Sequence, residues 1–396
     1  MTERRVEDLL RDHRVPDEPA AEDRAWRVVR AGYAGAPVRA PARSGRRLAL
    51  VAAAAAALLA FALTGPGAAV ADWVRDAIRQ NNATTRPLTS LPSSGRLLVE
   101  SGQGPWIVSE DGSKRRLGDY EEATWSPKGL FVAVARPNEL LAVEPKGAVR
   151  WSLARSGGVR GARWSPDGFH IAYLSGGSVR VVAGDGTGDA RLGPARNVAP
   201  AWQPRSKLPV LAYVDHAGAV RVTQASTGPP LWRVESGPVP TQLEWSPDGT
   251  ALLALSAGRL RVFDAGGRLT ATHFLPRGTL ADDAAFARSG KSIALVSRNA
   301  AGTRGLVTVL RPGDGGFTER RVLSVPGRFG RLAWSPNGEW LLASWPSADQ
   351  WLFIRIPNGT GSPGKVVTVS GVAGQFDPGQ TGIPASPVPD GWCCAP

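Results

Sequence analysis

The chain of 396 residues has 2 Cys, 4 His and 1 Met. Two cysteines cannot staple a chain of this length, so a disulfide scaffold is excluded. Zinc ribbons and histidine-rich metal proteins are excluded for lack of ligands. No G-x-S-x-G elbow occurs, which removes the usual α/β-hydrolase nucleophile. Lysine is scarce too, at 6 of the 47 basic residues. What is plentiful is Gly (47) and Pro (33), with no collagen period. Such a composition points to many turns and many short strands. The basic residues outnumber 34 Asp+Glu, for a formal net charge of +13.

The first part of the chain reads differently from the rest. Residues 1–47 carry 11 Arg and 8 acidic residues, with few large apolar ones. Short helices are expected over 2–14 and 20–33, with too little apolar surface for a core of their own. Residues 48–65, LALVAAAAAALLAFALTG, contain no charge and follow Arg43, Arg46 and Arg47. This pattern predicts a transmembrane signal anchor, at the short end of the ~17–25 residues that a span needs. The positive-inside rule puts 1–47 in the cytoplasm as a juxtamembrane tail and the remainder outside the cell membrane. Cleavage of a signal peptide after Ala71 is the alternative. Residues 66–95 read as a linker, helix-like around Trp73, Val74 and Ile78 and then rich in Thr, Ser and Pro.

The strongest signal is an internal repeat. W-S-P-x-G occurs at Trp125, Trp164, Trp245 and Trp334, with weaker copies at Trp202 (WQPRS) and Phe286 (FARSG). The spacings are 39, 38, 43, 41 and 48 residues. A period near 40 is that of a four-stranded propeller blade. Between anchors, runs such as HIAYL, SVRVV, ALLALS and RLRVFD alternate with Gly/Asp turns, the signature of consecutive hairpins. In the motif Pro sets φ, Asp or Asn accepts backbone hydrogen bonds, and Gly takes the positive φ. The anchor Trp is expected to pack between blades rather than bind a ligand.

Six anchors suggest six blades, but the ends suggest a seventh. Residues 96–118 read as three strands with no anchor before them. Phe376, followed by Asp377-Pro378-Gly379, lies 42 residues after Trp334. We therefore expect an all-β, seven-bladed (alternatively six-bladed) β-propeller of four-stranded blades over 96–376. Its split blade would be closed by an innermost strand at 372–376. A short helical tail and one transmembrane helix would precede the propeller, and a Pro-rich tail, 377–396, would follow it.

WSPDG at 164–168 and 245–249, WSPKG at 125–129 and WSPNG at 334–338 resemble the WD40-like repeats of TolB-type propellers. The same unit occurs in the propeller domains of prolyl-oligopeptidase-type peptidases. The resemblance covers about 70% of the chain. It implies the propeller fold and, typically, protein binding or scaffolding outside the cytoplasm.

Little in the chain points to chemistry. His13, His170, His216 and His273 have no paired arrangement for acid–base work. The acid-rich turns GDGTGD (184–189) and PGDGG (312–316) do not match a calcium loop and fall where hairpin turns belong. Asp282-Asp283 has no partner visible in sequence. Cys393 and Cys394 could pair between chains or bind a partner, or could sit in an exposed tail held by Trp392. Within 96–376 there are 33 basic and 22 acidic residues, and Arg180, Arg221, Arg259 and Arg261 alternate with apolar residues, as outward-facing strand positions do.

These readings name no catalytic, cofactor or metal residue. They lead to a non-catalytic, membrane-anchored binding or scaffolding propeller in the cell envelope. Its partner would be a protein or an anionic envelope polymer, not nucleic acid. A regulator whose 1–47 tail docks a cytoplasmic partner is one alternative. A hydrolase or lyase using the central channel is another.

Overall fold

The computed structural model describes residues 87–225, 229–235, 237–313, 316–359, 364–378 and 386–394. These residues form seven four-stranded antiparallel sheets, the blades of a propeller. Blades 2 to 7 are continuous in sequence: 122–154, 160–194, 201–234, 242–274, 279–326 and 332–370. Within each, strands a to d run from the centre outwards. Blade 1 is split. Its strands b to d are Arg96–Ser101, Gly104–Val108 and Lys114–Arg116, and its strand a is Val388–Cys393. The seven a strands touch in a closed ring, so no sheet edge is left open at the centre.

Burial explains why the strands read as they do. Strands b and c of each blade are covered on both faces by neighbouring blades and are therefore near-continuous apolar runs. Val210–Val214, VLAYV, is buried at every position. Strand d is outermost and alternates; Val149–Ala154 is exposed or half-buried throughout. The apolar side chains gather into seven clusters, one at each blade interface.

The W-S-P-x-G turn is held by its serine. The Ser165, Ser246 and Ser335 hydroxyls donate to Asp167, Asp248 and Asn337. They also accept the N–H five residues on, from His170, Ala251 and Trp340. The Asp or Asn accepts the N–H two residues on, as the sequence led us to expect. Each such turn packs on the one before it, and Gly249 (φ +73°) is the tightest case. A Cβ there would lie 2.0 Å from the Pro204 carbonyl oxygen.

Two expectations are corrected. The ring is closed from the C-terminal side, but not by 372–376. Val372–Phe376 is a five-residue helix, α1, entered through Gly371 at φ 63°. Phe376 is buried against the Trp106 and Trp351 rings. The closing strand comes from the stretch expected as a Pro-rich tail, and the seventh anchor is Trp392. It faces Leu97 across the sheet, as Trp125 faces Val132 and Trp245 faces Leu252.

The transmembrane helix is the second correction. Among the described residues no helix is long and apolar enough to cross a membrane. The five residues of α1 span about 7.5 Å, against about 30 Å of hydrocarbon. The expected anchor at 48–65, the helical tail at 1–47 and the linker as far as residue 86 lie outside the described residues. Membrane anchoring, single-pass topology and a tail docking from the cytoplasm therefore drop out of the functional reading.

Candidate functional site: the channel and the a–b face

Strand a of each blade points side chains at the axis one and three residues before its anchor. Three residues before, the ring holds Glu122, Gln242, Asp283 and Arg331, among smaller residues. Several of these tie one blade to the next. Glu122 Oε2 accepts the Gly161 N–H at 2.6 Å. Gln242 exchanges two bonds with the Ala284 backbone, at 2.6 and 3.0 Å. Asp283 Oδ2 accepts the Leu332 N–H at 2.7 Å. Arg331 bridges Glu100 at 3.0 Å and Asp390 at 2.8 Å, joining blade 7 to the split blade. Burial, then the Asp390 carboxylate, push Glu100 up against the pull of Arg331. Burial also pushes Asp283 up, to about 6.

One residue before the anchor, the ring is mostly small: Ala201, Ala285, Ala333 and Gly391. The exceptions are Thr124, Arg163 and Glu244. Glu244 Oε1 accepts the Phe286 N–H at 3.2 Å. Burial pushes its carboxyl up to about 8, with Asp283 adding to the effect. Arg288, just beyond the blade-6 anchor, reaches the same space. The small residues leave a cavity of about 580 Å³ between these groups. The channel is therefore polarised, with carboxylates gathered around Arg331 at one end and Arg163 and Arg288 near the other.

The face carrying the a–b turns has a second feature. Leu130 and Phe169 directly follow the turn glycines of blades 2 and 3 and are 62% and 71% exposed. Leu208, in the corresponding turn of blade 4, is 53% exposed. Blades 5, 6 and 7 place Thr250, Lys291 and Glu339 there instead. Beside Phe169 opens a cavity of about 570 Å³ lined by Phe131, Trp151, Trp164 and Arg150.

The sequence-predicted residues are dispersed. His13 lies outside the described residues. His170 is half-buried beside Trp202, His216 is exposed, and His273 packs edge-on against Phe317, where burial pulls its pKa down. Asp282 pairs with Arg298 at 2.9 Å, while Asp283 joins the channel. In GDGTGD, Asp185 accepts the Thr187 N–H, and Asp189 binds Arg155, Arg180 and the Tyr173 hydroxyl. In PGDGG, residues 314 and 315 lie outside the described set. Arg261 departs from the outward-facing expectation. It is 6% exposed, with its guanidinium 5.1 Å from the Phe263 ring centre. Cys393 and Cys394 are joined to each other by a disulfide next to Pro127. The anchors pack as expected, and Trp202 and Trp334 also donate to carbonyls of the preceding blade. Among the described residues no group of three His, Cys, Asp or Glu is placed to hold a metal ion.

Arg163, Glu244, Arg288 and Arg331 were not singled out from sequence. Counting back one and three residues from each anchor would have found three of them.

Together the sheets and the closed ring define a seven-bladed β-propeller. Solved structures share that fold at low identity. Hsv2p of Kluyveromyces lactis is 14% identical with a TM-score of 0.52, covering 69% of this chain and 96% of that one. A chain of a mitotic checkpoint complex gives 14% and 0.52 over 67% and 88%. The propeller domain of Myceliophteria thermophila Cps50 (Swd1) gives 17% and 0.50 over 64% and 86%. No family model matches the chain, and no curated protein matches it significantly.

Proposed function

We propose that this propeller is a non-catalytic binding protein of the WD40-like, TolB-type class, whose partner is a protein docking on the a–b face of blades 2 to 4. The WSPDG-type repeats support the class. The carrying observation for the function is the run of Leu130, Phe169 and Leu208 on three successive blades, beside an aromatic-lined opening. Exposed large apolar groups cost solvation, and clustered on one sector they mark an interaction surface. Aromatic anchors set in pockets are what protein interfaces favour. Lys128, two residues before Leu130, suits a partner carrying acidic groups around an apolar centre, whereas Arg150 is already paired with Glu144.

The test compares the wild-type chain with Leu130→Asp/Phe169→Asp in affinity capture from cell lysate, with melting curves for both. A partner held by the first and released by the second, at unchanged melting, is expected. Equal capture by both proteins sinks the surface assignment. Turnover of a substrate that is lost on substituting Glu244 or Asp283 overturns the non-catalytic reading in favour of a channel enzyme.

A further inference from the structure

Several arginines in this propeller are neutralised by carboxylates. Arg155 and Arg180 share Asp189, Arg233 holds Asp215, Arg298 holds Asp282, and Arg331 holds Glu100 and Asp390. The two arginines near the a–b end of the channel differ. Arg163 donates through Nη1 to the Ala162 carbonyl at 2.8 Å. Arg288 donates through Nη2 to the Trp392 carbonyl at 3.0 Å. Neither has a carboxylate within ion-pair distance among the described residues. Each guanidinium has five N–H donors, so most remain available. Both line the same cavity of about 580 Å³ as Glu244, and the wall beside them is Ala285, Ala333 and Gly391. That volume lies in the range of small-molecule sites.

We propose that this half of the channel binds a small organic carboxylate, gripped by the Arg163 and Arg288 guanidiniums against the small-residue wall. A guanidinium fork matches a carboxylate in geometry and charge. Glu244 completes the site as a hydrogen-bond donor. Burial keeps its carboxyl protonated at neutral pH, in the field of Asp283 on one side and Arg163 and Arg288 on the other. An ionised Glu244 would repel the ligand, so the site works best below the pH at which that proton leaves. The site is remote from Leu130 and Phe169 in the side chains it uses, so it stands or falls independently of the docking face.

The experiment is calorimetric titration of the propeller with succinate and D-glucuronate, and with inorganic phosphate, at low ionic strength. Binding of a carboxylate is expected. Arg163→Gln and Arg288→Gln should each weaken it at least tenfold, while Lys146→Gln on the blade-2 rim leaves it unchanged. Arg288→Lys keeps the charge without the fork and should give an intermediate loss, which a collapsed fold would not. Wild-type affinity should fall as pH rises through about 8, and Glu244→Gln should flatten that profile. The proposal is overturned by any of three results. One is no binding of either carboxylate at about 10 mM. The second is binding indifferent to both arginine substitutions in variants of unchanged melting. The third is phosphate held more tightly than both carboxylates.

Discussion

Replacing Trp392 tests how the ring is closed. Its side chain is 2% exposed and meets the Phe353 ring edge-on at 5.7 Å, in the cluster between blades 7 and 1. A buried Trp removes about 150–250 Å² from water. Truncation to Ala therefore costs about 3–5 kcal/mol in transfer and cavity energy. At about 2–4 °C per kcal/mol for a domain approaching this size, Trp392→Ala should lower the melting temperature by roughly 6–20 °C. The indole Nε1 is buried with no acceptor among the described residues. Trp392→Phe should consequently cost only about 1–2 kcal/mol, because volume is lost but no hydrogen bond. Truncation after residue 385 should do more than either. It strips the whole a strand from Arg96–Glu100 and opens the cluster that contains Leu97, Val99 and Phe353. Circular dichroism melting, with urea midpoints as a check, measures all three. A truncated chain that melts within about 2 °C of wild type, with the same cooperativity, would refute closure by 388–393.

Other substitutions probe separate parts of the structure. Burial raises the folded-state pKa of Glu244 to about 8 from 4.5 and that of Asp283 to about 6 from 3.8. Each therefore supports the fold fully below its unfolded value and loses that support as pH rises through its folded one. Glu244→Gln should match wild type near pH 4 and exceed it by about 1–2 kcal/mol at pH 9, after discounting for the open channel, as pH-dependent urea titration would show. Asp189 behaves oppositely. Burial pushes it up, but Arg180, Tyr173 and Arg155 outweigh that and hold it below the usual carboxylate range. Its contribution is present above the unfolded pKa and fades as pH falls through the folded one. Asp189→Asn should cost about 2–3 kcal/mol at pH 7, in urea unfolding, and progressively less as pH falls below the usual carboxylate range. Gly249→Ala should destabilise more than Gly168→Ala by calorimetric melting, since both need positive φ but only the first drives Cβ into a carbonyl oxygen. The corresponding Cβ at Gly168 meets nothing nearer than 3.8 Å.

The blade repeat and the packing role of the anchors are legible because they follow from local periodicity, while the split first blade is legible only from the three strands at 96–118 that lack an anchor. A strand buried on both faces must be apolar, and a tight turn must carry Gly and a side chain that accepts backbone N–H groups. Trp125, Trp164, Trp245 and Trp334 mark those places at a regular spacing. The seventh anchor was misplaced because Trp392 lacks the S-P-x-G that follows the others. Its strand ends at the disulfide-bonded Cys393-Cys394 instead of turning into strand b. Phe376 was on period and is buried, but α1 puts it under the blade interface rather than in the ring. The sequence also marks Asp283 as acidic without indicating that it faces Arg331, because those residues are far apart along the chain.

By itself the sequence determined the repeat and the turn chemistry, since each depends on contacts within about 40 residues, and it pointed to a seventh blade through the three strands at 96–118 that have no anchor before them. The tertiary structure alone decided which strand closes the ring. It also decided which arginines are neutralised and which are left facing the cavity. Closure joins residues almost 300 positions apart. Ion pairing at the axis depends on which side chains seven separate strands bring to one level, and no local pattern encodes that.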